Sequence, residues 1–572
     1  MTGRSGDAYN AHSYHTKVPP AAIARLICER LPQGGTVGDA FCGSGTTGIG
    51  AALAEHANTN ATYNVVLGDL SPFAAFLSQV QNTPPAPAAF EAAAREMLRV
   101  ATDVVRDLWV TDHHDGRTGT ILYTIWSEVV ECPACTHEHR FWDIGVDHSH
   151  GAIHRMLKCG FCGRQFPKSR AARLPERVWD PLIERWLERP VRVPVEIAYE
   201  VDGQRYSKAP DASDLARIAM ADDCPVPVTC PTRQMLDREP PWGDLYRSGY
   251  HQGVTHVHHF YTRRNFITVG HLWNLAEISP EPEALRFLVS SYNLSHATLM
   301  SRIVFKRGQP QPVLTGYQTG ALYISALPVE KNPLIGIARS KLRAVSRTFA
   351  LTCRRRGSVR VSTRPAQSWK GEASEIDYFF LDPPFGGNIP YAEANFIAEA
   401  WLGSATDRTH EAIISKVQEK TSGDYRALLA DCFQSLSRCL STEGQITVMF
   451  HASTREPWSA LRGALRDSGL ETGEILLLDK KQSSFKQVRS DTAVEGDLLI
   501  DLVRQKGASF PLIAGPPLSV DTWLRAMLGT QPATLDTRAT RRLYSEYVVD
   551  CIHGGRPLDV SAADFYDAVH AA

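Results

Sequence analysis

The sequence predicts an α/β fold built on an open, mostly parallel sheet that a long insertion interrupts. Three observations carry this. Residues 18–69 run in the order helix, strand, glycine-rich turn, helix, strand. Far along the chain Ile376 to Leu381 reads as a buried strand, and β-type runs follow at Gln445–Phe450, Glu474–Leu478 and Asp497–Val503 between helical patterns. Between these two parts, residues 120–170 break the rhythm with aromatics, histidines and two CxxC pairs. Strands alternating with helical patterns imply parallel pairing, because each parallel connection needs a crossover.

The elements follow in order. Pro19 and Pro20 suit a helix start, Ile23, Leu26, Ile27 and Leu31 share one helical face, and Gly34-Gly35 ends it. Thr36 to Phe41 form a short strand, and Gly43, Gly45 and Gly48 follow at once, leading into an Ala-rich helix with Ile49 and Leu53. A second strand, Tyr63 to Leu67, ends at Gly68-Asp69. Residues 82–110 begin as a Pro/Ala-rich link and continue as a helix, and residues 171–330 are mixed, without repeats. Ile335, Ala338, Leu342, Val345 and Phe349 mark an amphipathic helix where the α/β pattern resumes, and the tail after 505 reads as mostly helical.

Bulk properties bound the function. A chain of 572 residues implies two to four domains at about 100–200 residues each. A hydrophobic fraction of 43% excludes a disordered chain. The formal net charge is −1, so any contact with phosphates must come from local basic patches. No apolar run is long enough to span a membrane, and Met1 to Lys17 lack the apolar core of a signal peptide, so the expectation is a cytoplasmic protein with no membrane partner.

Two turns carry chemistry. In Asp39-Ala40-Phe41-Cys42-Gly43-Ser44-Gly45-Thr46-Thr47, glycines between a strand and a helix let a ligand approach the backbone. Asp69, at the end of the next strand, can accept hydrogen bonds from both hydroxyls of a ribose. Taken alone, this turn fits plain helix-on-sheet packing equally well. The second turn, Asp382-Pro383-Pro384-Phe385, follows the apolar strand Tyr378-Phe379-Phe380-Leu381. Paired prolines hold the backbone beyond a strand end. The Asp carboxylate and the Pro383 carbonyl can hold the hydrogens of an aromatic amine, whose lone pair is otherwise delocalised, and the Phe ring can stack a base flipped from a duplex.

The insertion holds Cys132-Pro133-Ala134-Cys135 and Cys159-Gly160-Phe161-Cys162, separated by 23 residues. In a reducing compartment such pairs read as metal ligands, and four thiolates make a closed tetrahedral zinc site of structural type. His137, His139, His148, His150 and His154 read as solvated loop residues, and Cys224 and Cys230 as ordinary thiols.

These segments resemble the motif set of the amino-type DNA methyltransferases, which methylate adenine N6 or cytosine N4. His12-Ser13-Tyr14-His15-Thr16-Lys17-Val18-Pro19-Pro20 resembles the motif that folds over the cofactor methionine, the 39–47 turn resembles the family's cofactor loop, Gly68-Asp69-Leu70-Ser71-Pro72 resembles its ribose-binding acidic motif, and Asp382-Pro383-Pro384-Phe385 resembles its catalytic motif. The resemblance implies a Rossmann-like fold dependent on S-adenosylmethionine. It places the cofactor on Tyr14, Thr16, Lys17, Asp39, Phe41, Gly43, Ser44, Gly45, Thr46, Thr47, Asp69 and Leu70, and catalysis on Asp382, Pro383, Pro384 and Phe385. The Asp form with a terminal Phe is commoner among adenine N6 enzymes. Segments His256 to Asn265, Pro390 to Phe396 and Trp401-Leu402-Gly403 resemble a bacterial subset of the family that carries a zinc ribbon.

The motif order, cofactor first and catalysis after a long insertion, resembles the permutation class with target recognition between the two. The implied organisation is 1–90 for the cofactor motifs, 91–330 for an inserted DNA-recognition region with the ribbon at 128–170, 331–505 for the catalytic part, and 506–572 for a helical extension. From Arg339 to Arg364 there are nine Lys/Arg and no Asp or Glu. This run offers Arg354, Arg355 and Arg356 to phosphates, although a solvated helix face reads the same way. Arg263 and Arg264 are a second pair for DNA contact. Lys486, in Ser483-Ser484-Phe485-Lys486-Gln487, is a third, because loops at that place lie near the target base in the family. The expected activity is methylation of double-stranded DNA, on adenine N6, in restriction–modification or phage defence alone or with partner subunits. The alternatives are cytosine N4 methylation, an RNA or protein amide methyltransferase, and a DNA-binding subunit that has lost catalysis.

Overall fold

The computed structural model describes residues 6–305, 312–369, 375–452, 454–478, 497–504, 518–528, 537–553, 556, 558 and 560–571. The first part of the chain forms helix α1 (Pro20–Arg30), strand β1 (Gly35–Asp39), α2 (Thr46–Ala57), β2 (Tyr63–Asp69), α3 (Pro72–Asn82) and α4 (Pro87–Val105). Prolines open α1, α3 and α4, where a missing N–H costs nothing. The boundary expected at residue 90 falls inside α4. Further on lie α5 (Arg263–Glu277), α6 (Pro282–Tyr292) and α7 (Leu342–Thr352). The sheet then resumes with β3 (Val359–Thr363), β4 (Ile376–Leu381), α8 (Tyr391–Trp401), α9 (Ser422–Cys439), β5 (Leu440–Phe450), α10 (Arg455–Ser468), β6 (Leu470–Leu478) and β7 (Asp497–Arg504). Helices α11 (Val520–Leu528), α12 (Thr537–His553) and α13 (Ala562–Ala571) end the described chain.

The seven strands lie in the order β3-β2-β1-β4-β5-β7-β6. From β3 to β5 all pairings are parallel, and β7 runs antiparallel to both its neighbours. The expected mixed α/β architecture with a mostly parallel sheet is therefore present. The chain winds outward from β1 to β3 on one side and restarts with β4 on the other. Such a reversal opens a crevice at the carboxyl ends of the two central strands, here β1 and β4. Gly38 is required at the centre of β1, since a Cβ there would lie 2.4 Å from the ring of Phe379.

Both faces of the sheet are buried, which is why β4 carries four apolar residues in succession, Tyr378 to Leu381. Val37, Val65, Leu67, Tyr378 and Phe380 pack beneath Ile23 and Ile27 of α1 and Ala51 and Ala54 of α2. On the other face Phe379, Leu381, Ile446 and Val448 meet Leu429 and Phe433 of α9 and Leu461 of α10. That cluster continues into Trp523, Tyr544, Tyr547 and Phe565 of the tail helices, so the tail belongs to the core of the sheet.

The insertion holds a second, antiparallel sheet around the long strand Thr118–Glu131, which pairs with Arg192–Val201. Val329–Lys331 pairs with the same strand and leads back towards the main sheet. The helical half of the insertion shares one hydrophobic cluster with α3, α4, α7 and α8, including Phe73, Phe90, Phe266, Leu288, Phe349 and Phe396. The apolar stripe expected over Ile335–Phe349 lies on one helical run that contains a π-turn at Ile337–Lys341. Among the described residues no helix is long and apolar enough to cross a membrane.

Candidate active site and metal centre

Asp39 and Asp69 end β1 and β2, and Asp382 follows β4, so the sheet brings three carboxyl groups to one edge. A cleft lies there. Its walls include Tyr14, Thr16, Lys17, Asp39, Phe41, Gly43, Ser44, Thr46, Thr47, Asp69, Leu70, Asp382 and Pro384. Four separate stretches of sequence thus converge on one cavity.

The 39–47 turn is held by its own hydrogen bonds. Asp39 accepts from the Phe41 N–H at 3.0 Å and from the Thr47 hydroxyl at 2.5 Å. Asp69 accepts from the Gly43 N–H at 2.8 Å and the Ser71 N–H at 2.9 Å, one on each oxygen. Each oxygen keeps a further acceptor position. Burial raises both carboxyls, Asp39 to about 7 and Asp69 to about 6, against these hydrogen bonds.

Gly43 and Gly45 take positive φ angles of 49° and 79°. Tyr14 closes over the first, its ring 3.0 Å from where a Cβ on Gly43 would be. Gly45 lies behind the turn and is absent from the cleft wall. A Cβ on it would sit 2.6 Å from Asn82 Nδ2 and 2.8 Å from Ser78 Cα of α3. Gly45→Ala is therefore expected to destabilise the protein by about 2 kcal/mol or more, through backbone strain and a clash with main chain. Equilibrium urea unfolding measures this, and an unchanged midpoint would contradict the packing described.

Segment 12–17 is fastened across the cleft mouth. The Lys17 ammonium donates to the carbonyls of Tyr9 (2.6 Å) and His12 (2.9 Å), and burial lowers its pKa to about 7. Thr16 Oγ1 pairs with the Tyr391 hydroxyl at 3.0 Å. Asn395 of α8 joins two of these segments, 12–17 and the turn after β2: its Oδ1 meets His15 Nε2 at 3.0 Å, and its Nδ2 donates to Tyr14 Oη and Ser71 Oγ, each at 3.2 Å. The Ser71 hydroxyl donates in turn to Glu399 at 2.5 Å. Sequence reasoning named none of Asn395, Glu399, Tyr391 or Ser71 as site residues. A signal was present: Glu393, Asn395 and Glu399 are fully buried in an otherwise apolar helix, and buried polar side chains need partners.

The Asp382–Phe385 turn is placed only partly as expected. Asp382 is half-buried on the cleft wall, close enough to Tyr391 that its charge, after burial, helps push that phenol up. The Pro384 carbonyl accepts from the Tyr425 hydroxyl at 2.6 Å. The buried Pro383 accepts no hydrogen bond at its carbonyl among the described residues. Phe385 does not line the cleft. Its ring stands edge-on to Phe450 at 5.3 Å, because the apolar cluster beside β5 offers it more contact than the open cavity.

The four cysteine sulfurs lie within 4.8 Å of one another. Cys132 Sγ is 3.8 Å from Cys162 Sγ, and Cys135 Sγ is 3.7 Å from Cys159 Sγ. A zinc ion with four sulfurs at about 2.3 Å requires edges of about 3.8 Å, so the set has the dimensions of a closed tetrahedral site. Two matching knuckles build it. The Cys132 N–H donates to the His137 carbonyl and the Cys159 N–H to the Arg164 carbonyl. Thr136 and Gly163 take the same place in each turn, both at positive φ. His139 Nε2 lies 3.2 Å from Cys159 Sγ, beside the four sulfurs rather than among them.

The arginines assigned to DNA divide sharply. Arg264 is 3% exposed and is consumed by structure, pairing with Glu330, donating to Thr124 Oγ1 and lying over the Trp109 ring. Arg355 bonds the Gly48 carbonyl and Asn82 Oδ1, tying α2 to α3. Arg356 bonds the carbonyls of Ala61 and Glu55. Arg264 and Arg355 are corrected to structural roles, since their guanidinium groups are drawn into the fold by these partners, whereas Arg356 makes its bonds from an exposed position. Arg263 is half-buried and donates to the Cys224 carbonyl, whereas Arg354 is exposed. Lys486 and its loop lie outside the described residues.

Near Arg263, His258 and His259 both hydrogen-bond Asp180, at 2.7 and 2.8 Å. His259 Nδ1 accepts backbone N–H groups of Thr255 and His256. Its proton therefore sits on Nε2, towards Asp180, and the hydrogen bonds of the cluster tie His258 and His259 to Asp180. Comparison of the chain with family models, curated proteins and solved structures gives no match.

Proposed function

We propose that the protein is an S-adenosylmethionine-dependent DNA methyltransferase acting on the exocyclic amino group of a flipped base, adenine N6 in the first instance. One observation carries this reading: Tyr14, Thr16 and Lys17, most of the 39–47 turn, Asp69 and Leu70, and Asp382 and Pro384 meet in one cleft at the carboxyl ends of β1, β2 and β4. The strand order, reversing between β1 and β4, supports it, because nucleoside-containing ligands bind at such a switch point.

The cleft suits the cofactor chemically. Asp39, Asp69, Asp382 and Glu411 face it against the single ammonium of Lys17, an acidic balance that favours a sulfonium cation. S-adenosylmethionine, when bound, supplies the electrophilic methyl group. Asp69 would hold the ribose hydroxyls through its remaining acceptor positions, and the 43–47 turn and Tyr14 would enclose the rest. Asp382 and the Pro383 carbonyl would orient the hydrogens of the target amine, which raises the availability of its lone pair. Positioning, rather than a strong base, supplies most of the acceleration in such a transfer.

The test is transfer from labelled S-adenosylmethionine to unmethylated DNA, with nucleoside mass spectrometry of the product. N6-methyladenine is expected. N4-methylcytosine would keep the mechanism and change the base, and label on RNA or protein alone would overturn the DNA assignment. Work in restriction–modification or phage defence, alone or with partner subunits, is the biological setting this activity implies.

Cofactor binding should depend on pH through Asp69. Only the ionised carboxyl accepts from both hydroxyls, and in the free protein it titrates at about 6. Affinity is expected to rise as pH increases through 6, by about tenfold per unit below that value. Calorimetry on either side of pH 6 checks this, and Asp69→Asn should flatten the profile. A wild-type profile flat across this range would remove Asp69 from the ribose site.

A further inference from the structure

Positive charge in this chain is not spread evenly. The whole sequence holds 61 Lys/Arg against 62 Asp/Glu. Yet from His148 to Pro175 there are six Lys/Arg, three His and no acidic residue. This stretch is the second hairpin of the cysteine ribbon, with Met156–Lys158 pairing antiparallel to Gln165–Pro167. Leu157 and Phe166 turn inward and are buried, which leaves Met156, Lys158 and Gln165 on the outer face. Two of the six cations are already used. Arg173 pairs with Glu128, and Lys168 lies over the Phe141 ring. Arg155, Lys158, Arg164 and Arg170 are exposed, and none makes an ion pair among the described residues.

Apolar groups stand between these cations. Phe161, bracketed by the ligand pair Cys159 and Cys162, is 72% exposed and stacks on His137 at 4.8 Å, while Met156 is 48% exposed. Phe161 and Met156 offer apolar contact beside these cations. Alternating phosphate and sugar along a nucleic-acid backbone offers matching anionic and apolar contacts, and the release of counterions favours association.

We infer that this hairpin, with Arg155, Lys158, Arg164, Arg170 and Phe161 exposed on it, docks on the backbone of duplex DNA. The choice of duplex DNA rests on the proposed function. The face contacts phosphate and sugar, so it contributes affinity and register without reading sequence. The cysteine centre holds it rigid where the local apolar core is small.

The full chain with its zinc is tested for binding to a short labelled duplex between about 50 and 200 mM salt. Arg155→Ala, Lys158→Ala and Arg164→Ala are combined in one variant, and Arg164→Glu is made alone. The combined variant should bind at least tenfold more weakly. The slope of log affinity against log salt should fall by about 3, at about 0.9 for each phosphate that is no longer neutralised. Zinc content should be unchanged in both variants. A wild-type slope in the combined variant would overturn the assignment, as would an intact protein that ignores duplex DNA or prefers RNA. Methyl transfer is read in parallel. Binding through this face without methyl transfer would sink the enzymatic reading and leave the surface standing, and methyl transfer with no change in the slope would do the reverse.

Discussion

Asp382→Ala is expected to lower methyl transfer by about a thousandfold or more while leaving the fold and cofactor affinity near wild type. The expectation follows from position. Asp382 stands beyond the end of β4 on the cleft wall, and the hydrogen bonds of Asp39 that hold the 39–47 turn do not involve it. Its loss removes an acceptor for the target amine but none of the bonds that hold Asp39, Asp69 or Tyr14. Asp382→Asn keeps one acceptor oxygen without the charge and should fall between the two. Single-turnover transfer, with calorimetric cofactor binding on the same preparations, separates chemistry from binding. Full activity in the alanine variant would sink the catalytic assignment, and joint loss of affinity and thermal stability would assign Asp382 a structural role instead.

The second large effect concerns the cysteines. The intact chain is expected to hold one zinc ion, and Cys159→Ser is expected to release it and unfold residues 132–170. Little apolar surface supports that region by itself. Phe141, Val146, Leu157 and Phe166 are its buried side chains, resting on Ile125, Val195 and Val329 of the neighbouring sheet. A structural zinc contributes on the order of 10 kcal/mol in comparably small units, so its removal exceeds what such a cluster retains. Elemental analysis and limited proteolysis measure the two consequences. Intact protein without zinc would remove the metal centre, and a zinc-free variant with an unchanged proteolysis pattern would show that the ribbon folds without it. Thr136→Gly, by contrast, should be tolerated, since Gly already fills the matching place at Gly163.

Much of the sheet was legible because its signals are local. A strand buried on both faces is mostly apolar, as in Ile376–Leu381, where Asp377 is half-buried and accepts from the Thr36 N–H, and β4 begins and ends at those residues. The insertion's sheet was not legible. Thr118–Glu131 buries Thr124, Ser127 and Glu128 among its apolar residues, and Glu128 is held by Arg173 and Arg192 from distant segments. No period-2 pattern survives such pairing. The arginine run failed for a related reason. Sequence displays charge but not burial, and Arg355 lies half-buried against the Gly48 carbonyl and Asn82 of neighbouring helices.

The sequence by itself determined which residues are able to do chemistry and how their immediate backbone turns. Glycines permit the left-handed angles at 43 and 45, prolines stiffen 383–384, and two CxxC pairs define four thiolates, all within a few residues of chain. Only the tertiary structure decided which of these meet. Parallel crossovers carried Asp39, Asp69 and Asp382 to one edge of the sheet, and the insertion returned the chain so that Asn395 could join Tyr14, His15 and Ser71. The same packing turned Phe385 towards Phe450 and spent Arg264 on Glu330. Turn geometry is governed by steric limits within single residues, whereas the partner of a side chain is set by whichever surfaces close-pack, and those surfaces lie hundreds of residues apart.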